Sequence, residues 1–199
     1  MCMGCGEVDV NKPKKCGEEK TVFEGRMFEL VKQPMDCGGK IKEFNLLRRS
    51  PGVRALIVKD GKILLTKEWR VEFDDWDYRM AGGKVFDTLK EYKSGLSTGK
   101  DILEFAKQAL IRECKEEVGV IVKNAKYIYT SICGATIKHD LFFFLVDEFS
   151  ETGKQELEAG EVIYPEWFTF KEAWEMCLDG RVKQDRTAAP LMRFLVGNV

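Results

Sequence analysis

Residues 101–118 constrain the fold of this chain more than any other stretch. Apolar Leu103, Ala106, Leu110, Cys114 and Val118 recur at spacings of three and four, the signature of one face of an amphipathic helix. Asp101 with Glu104 three residues on has the form of a capping box, and Gly119 supplies the stop. The end of this helix reads Arg112-Glu113-Cys114-Lys115-Glu116-Glu117-Val118-Gly119-Val120. Glu113, Glu116 and Glu117 are related by i, i+3 and i+4, so three carboxylates point to one side. A solvated acidic face is the plain reading of three glutamates alone, because helices favour Glu. The chemical reading is that a cation neutralises them, and Mg²⁺ favours carboxylate oxygens, water and substrate phosphates.

Strand patterns surround the helix. Two short strands flank Glu24–Arg26, and Phe44–Leu47 reads as another, before a turn at Pro51-Gly52. Val53–Val58, Asp60-Gly61 and Ile63–Thr66 form a β-hairpin signal. Trp69–Met80 mixes aromatics and acids and runs into Ala81-Gly82-Gly83, where the backbone must bend tightly. The charged stretch from Asp87 to Lys100 looks like a solvated insertion. Beyond the helix, Tyr127–Cys133, Asp140–Val146 and Glu166–Phe170 read as strands, Lys171–Leu178 and Ala188–Leu195 as helices. Helices and strands mix without the regular alternation of a doubly wound sheet, so the expected class is α+β.

Composition removes several functions. The 199 residues hold 32 basic and 33 acidic side chains, against the basic excess expected of a duplex-binding protein. The longest apolar run, Leu141–Val146, falls far short of the roughly 20 residues that span a bilayer. The first residues show no signal-peptide pattern, and seven cysteines with no export signal suggest reduced thiols in a cytoplasmic protein. One histidine, His139, rules out a metal centre built from several histidines of one chain, and it reads as a strand-edge or loop residue.

The segment 112–120 resembles the Nudix hydrolase signature, Gly-x5-Glu-x7-Arg-Glu-U-x-Glu-Glu-x-Gly-U, with Cys114 and Val120 at the bulky apolar U positions. Gly83 matches the leading glycine, and Glu104 stands at the required offset before Arg112. Twenty residues separate Gly83 from Glu104 where the signature has five, an insertion of 15 within residues 84–103. The capping-box position of Glu104 sits awkwardly with a site role, because nine residues at about 100° each turn it about 180° from Glu113. The resemblance implies an α/β/α sandwich with a mixed sheet and a loop–helix–loop that binds a divalent metal. It implies Glu113, Glu117 and Glu116 as ligands with Glu104 as a further candidate, and the Gly82 carbonyl completing the shell. Arg112 would orient the glutamates through a charge-assisted bond. The implied ion is Mg²⁺, with Mn²⁺ as the alternative, and the implied reaction is hydrolysis of a nucleoside diphosphate linked to another group.

Three features outside the signature resemble the ADP-ribose and nucleotide-sugar pyrophosphatases. These are a strand-rich preamble ending in Arg49-Ser50-Pro51-Gly52-Val53, then Lys67-Glu68-Trp69-Arg70, and the tail Gly180–Thr187 with Gln184 where those enzymes carry Asp. Cys133-Gly134-Ala135 lacks the Pro usual after the box, and Arg79-Met80-Ala81-Gly82-Gly83 replaces Glu-Leu-Pro-Ala-Gly. The substrate reading therefore stops at a nucleotide sugar or related dinucleotide. The base in this branch often lies in a loop after the box, which points to Glu161 first and Glu158 second. Arg70 and Arg79 either clamp phosphate or pair with Asp74, Asp75 or Asp77. Trp69 and Trp76 either stack a base or pack the core. The implied organisation is a Cys-containing tail over residues 1–20, a strand subdomain over 21–48 and the Nudix domain over 49–199, with a homodimer formed through the N-terminal strands. Cys2, Cys5, Cys16 and Cys37 could form a four-thiolate Zn²⁺ knuckle, but their uneven loops make this weaker than a paired motif. The competing functions are a Nudix enzyme on nucleoside triphosphates or dinucleotides, and a non-catalytic nucleotide-sensing module.

Overall fold

The computed structural model describes residues 12–134 and 136–197. In chain order the elements are β1 (Lys14–Lys15), β2 (Lys20–Glu24), β3 (Phe28–Asp36), β4 (Ile41–Arg49), β5 (Gly52–Lys59), β6 (Lys62–Arg70) and β7 (Asp75–Arg79). Then come α1 (Leu89–Ser97), α2 (Ile102–Val118), β8 (Val120–Ser131), β9 (Ile137–Lys138), β10 (Leu141–Glu151), β11 (Ile163–Thr169), α3 (Phe170–Leu178) and α4 (Asp185–Leu195).

The central sheet runs β11-β6-β5-β10-β8, with β7 also paired to β6. It is mixed, because β5 and β10 are parallel, from Gly52 opposite Leu141 to Ile57 opposite Val146. Alternation along β5 explains its two covers. Val53, Ala55 and Ile57 join Phe142 and Phe144 under Ala106, Leu110 and Cys114 of α2. Leu56 joins Ile63, Leu65 and Phe143 under Met176 of α3 and Leu191 and Leu195 of α4. Each such fully buried aliphatic side chain contributes about 1.5–3 kcal/mol. The result is α/β/α layering in an α+β fold. Among the described residues no helix is long and apolar enough to cross a membrane.

A second sheet runs β1-β3-β4-β9, with β2 on β3. Its β4–β9 contact is parallel, Leu47 opposite Ile137 and Arg48 opposite Lys138. Part of the expected N-terminal tail is therefore structured, since β1 pairs with the end of β3. Cys2 and Cys5 lie outside the described residues. Cys16 follows β1 and bonds through its amide to Pro34, whereas Cys37 lies three positions further along that pairing. That offset is about 10 Å along the strand. Thiolates on one zinc, each about 2.3 Å from it, stand far closer together. Cys16 and Cys37 are free thiols in this arrangement.

Two local expectations are corrected. The stretch 87–100, expected as a solvated insertion, is mostly exposed but carries helix α1, started by a Thr88–Glu91 capping box. Its charged residues hid a packing face, Leu89 and Gly95, the latter against the Phe86 ring. At the start of α2, Asp101 caps alone by accepting from the Leu103 amide. The Glu104 side chain is not part of that cap.

Gly119 ends α2 in the left-handed region at φ 63°, and a Cβ there would stand 2.7 Å from the Lys154 carbonyl oxygen. We expect Gly119→Ala to lose at least about 1–2 kcal/mol, the usual cost of an L side chain in that region. Urea denaturation at neutral pH measures it, and unchanged stability would contradict this account of the helix end.

Candidate active site

The sharp turn after β7 and the last turns of α2 build one cavity of about 540 Å³. Val53 and Ala55 of β5 bond to Gly83 and Ala81, so this turn is held against the sheet edge. The Gly82 amide donates to Glu117 Oε2 at 2.6 Å. Gly83 lets the Glu113 carboxylate lie against the backbone, since a Cβ at 83 would fall 2.5 Å from the Glu113 carboxyl carbon. Arg112 donates to Glu113 Oε1 at 2.9 Å and to the Lys84 carbonyl, which orients Glu113 from outside.

Burial shapes the charge states. Desolvation pushes Glu113 up to about 7, opposed by Arg112 and reinforced by Glu116. Glu117 is raised well above the usual carboxylate range by burial and by Glu68, against the Gly82 hydrogen bond that lowers it. Two buried carboxylates held this way call for a cation. Their hard oxygens, with the Gly82 carbonyl, suit Mg²⁺ or Mn²⁺ and not a thiolate-seeking ion. Among the described residues no three His, Cys, Asp or Glu side chains are grouped to hold an ion alone.

Glu113, Glu116, Glu117, Gly82, Arg112, Arg70, Arg79, Glu158 and Glu161 all line this cavity. Glu104 does not. It sits exposed in the first turn of α2, and the helical rotation that separates it from Glu113 carries it away from the site. Glu158 and Glu161 share a tight turn in which the Glu158 amide donates to Glu161 Oε2 at 2.9 Å. Their loop is pinned to the end of α2, where Gln155 donates to the Glu117 carbonyl and Glu156 to the Glu116 carbonyl.

The two candidate phosphate clamps differ. Arg79 is buried and paired with the fully buried Asp77 at 2.7 Å, the ion-pair alternative left open by the sequence. Asp77 also accepts from the Lys183 amide, tying the tail to β7. Arg70 is more accessible and pairs with Glu72 and Glu68. Trp69 is partly exposed on the cavity wall, its ring edge-on to Trp76, which itself meets Tyr164.

Sequence reasoning missed Arg54, Glu68 and Arg49, and gave His139 no part in the site. All four line the cavity. Glu68 is buried, accepting from Thr66 Oγ1 at 2.7 Å, but among Lys67, Trp69 and Arg70 it gives no sequence signal of its burial. Arg54 stands inside the apolar run Val53–Val58, the signal that could have exposed it. His139 faces Arg186 through Nδ1 at 3.1 Å.

Comparison with known proteins follows the same outline. The profile of the NUDIX domain matches residues 48–191. The chain belongs to the NUDIX family. It is a Nudix hydrolase by this membership, and such hydrolases generally use a divalent metal. Among solved structures it is similar to an ADP compounds hydrolase at TM-score 0.72 and 16% identity, over 96% of this chain and 95% of that one. A MutT NUDIX hydrolase from Burkholderia pseudomallei matches at TM-score 0.46 and 23% identity, over 61% of this chain and 84% of that one. A comparison with curated proteins finds no match.

Burial, with Arg49 and Arg186 alongside, lowers His139 to about 4 in this Nudix fold. Its folded value lies below the unfolded one, so its stabilising contribution is present above about 6.5 and is lost as pH falls towards 4. We expect wild type to lose more stability than His139→Gln between pH 6.5 and 4. Denaturant titrations at both pH values compare them, and parallel losses would contradict the assignment.

Proposed function

We propose that this Nudix hydrolase cleaves the diphosphate bond of a nucleoside diphosphate joined to another group, ADP-ribose or a nucleotide sugar, with Mg²⁺. The observation that carries the reading is the meeting of Glu113 and Glu117 with the Gly82–Gly83 backbone inside a cavity that also presents Arg49, Arg54, Arg70, Lys84 and Arg112. The carboxylates suit a cation and the basic rim suits phosphate. The neighbour of similar fold is an ADP compounds hydrolase, which supports an adenine diphosphate as the first substrate to try. Glu113, Glu117 and the Gly82 carbonyl would hold the ion, with Glu116 beside them. A divalent cation bound there neutralises the diphosphate and acidifies a bound water.

The chain's own residues do the remaining work. Arg112 fixes the rotamer of Glu113. Arg70, whose shorter ion pair is to the exposed Glu72, can turn to phosphate at low cost, while Arg79 maintains the wall through Asp77. Glu161, with Glu158 as the alternative, supplies a carboxylate on the opposite loop for proton removal from water. Trp69 offers a partly exposed ring to a base.

Turnover of ADP-ribose, UDP-glucose, dinucleotides and nucleoside triphosphates, followed by product release with Mg²⁺, tests this reading. We expect diphosphate-linked substrates to be preferred. Glu117→Gln, which keeps an acceptor for the Gly82 amide, should retain the fold and lose more than about 100-fold in turnover. Glu161→Gln should lose about 10²–10⁴-fold, the range of a general base. Glu104→Gln should be unaffected. Binding without hydrolysis of any substrate would replace the enzyme reading with a nucleotide sensor.

We also propose a homodimer through the second sheet, on which Val22, Phe23, Phe28 and Phe44 are exposed. Sedimentation velocity should give twice the chain mass, and Phe23→Glu should return it to the monomer; a wild-type monomer at micromolar concentration would refute this.

A further inference from the structure

Arg54 stands among the site carboxylates without bonding to any of them. Its Nη1 donates to the Gly82 carbonyl at 2.5 Å and to the Val53 carbonyl at 2.8 Å. Its Nε is buried and has no hydrogen-bond partner among the described residues. Burial holds it below the usual arginine range, and the charges that favour its cationic form against that are Glu68, Glu117 and Glu113, with Arg79 opposed. A structural arginine usually takes a carboxylate through two parallel bonds. Arg48 also ends on carboxylates here, with Nη2 on both oxygens of Glu19 at 2.7 and 2.6 Å and Nη1 on Glu29 at 3.1 Å. Arg54 instead directs its donor to a backbone oxygen, and that oxygen is the one assigned to the metal shell.

We propose that Arg54 is a built-in counter-cation of the carboxylate cluster that competes with the divalent ion for the Gly82 carbonyl, and so sets the protein's affinity for that ion. The proposal rests on the reading of Glu113, Glu117 and Gly82 as the ion site. Without an ion, the guanidinium balances three buried or half-buried acids through space. An arriving dication meets a fixed positive charge bonded to the same oxygen, and the two repel strongly where water is scarce. The ion therefore binds more weakly while Arg54 holds that oxygen. Arg54 lines the cavity, so its guanidinium also borders the space that a diphosphate would fill.

Calorimetric titration with Mn²⁺ alone, at fixed pH and without nucleotide, tests the competition. Wild type is compared with Arg54→Met, Arg54→Lys and Glu113→Gln, with circular dichroism as the check on folding. Arg54→Met is expected to bind Mn²⁺ at least about tenfold tighter, a difference of about 1.4 kcal/mol. Arg54→Lys keeps the charge on a side chain one atom shorter, which holds the Gly82 carbonyl less closely, so it should gain severalfold, and it carries the test if the methionine variant does not fold. Mn²⁺ should also raise the Tm of a tighter-binding variant by more than that of wild type. Glu113→Gln should weaken binding. Arginine variants that bind Mn²⁺ no more tightly than wild type overturn the competition while leaving the ion site in place. Unchanged affinity in Glu113→Gln removes the ion site and the proposal with it.

Discussion

The contact between the last turns of α2 and the Gly82–Gly83 backbone organises the molecule. Glu117 accepts from the Gly82 amide, and Glu113 lies where only a glycine leaves room. Both carboxylates are thus fixed by groups 30 or more residues away in sequence. The apolar face of α2 locks the helix on β5 and β10 through Ala106, Leu110 and Cys114. Helix position and carboxylate position are the same constraint, because side chains at i and i+4 cannot be reoriented without rolling the helix off its core. Packing energy therefore holds two unfavourably buried acids in place.

Burying acids in this way requires compensation, and the site distributes it. Arg112 answers Glu113 from the rim by a direct bond, while Arg54 answers the cluster from beneath without one. Glu68 is satisfied by Thr66 and, more loosely, by Arg70. Each cation also borders the cavity. The same groups that compensate the buried acids are therefore placed to meet a polyanion.

Much of this was legible in the sequence, for a physical reason. A glutamate triad at i, i+3 and i+4 above an apolar stripe fixes one helix face regardless of what surrounds it, and the turn at Asp60-Gly61 fixes a hairpin locally. The failures are all tertiary. Helix α1 was hidden because its buried face is only Leu89 and Gly95 within a charged run. Glu104 fits the linear spacing of the signature, yet the first turn of α2 points it to solvent. Arg79 could not be separated from Arg70 until β7 set Asp77 beside it. Arg54 looked like an interruption in a strand and Glu68 lay beyond the strand expected over Ile63–Thr66, because a strand pattern does not reveal which end of the sheet opens into a cavity.

The inserted helix connects the second sheet to the site. Its Lys93 reaches Glu24 and Glu29, and Glu29 is also paired to Arg48. Glu29 is almost fully buried, and removing a partner from such a group typically costs about 3–5 kcal/mol. The Leu89 amide adds a bond to the Arg26 carbonyl. These ties hold β3 and β4 against the insertion, and β4 in turn pairs with β9. Arg49 is the last residue of β4 and His139 follows β9, so the two strands deliver both side chains to the cavity wall. Helix α1 thus acts at a distance, tied to the sheet whose strand β4 ends in Arg49 at the cavity wall.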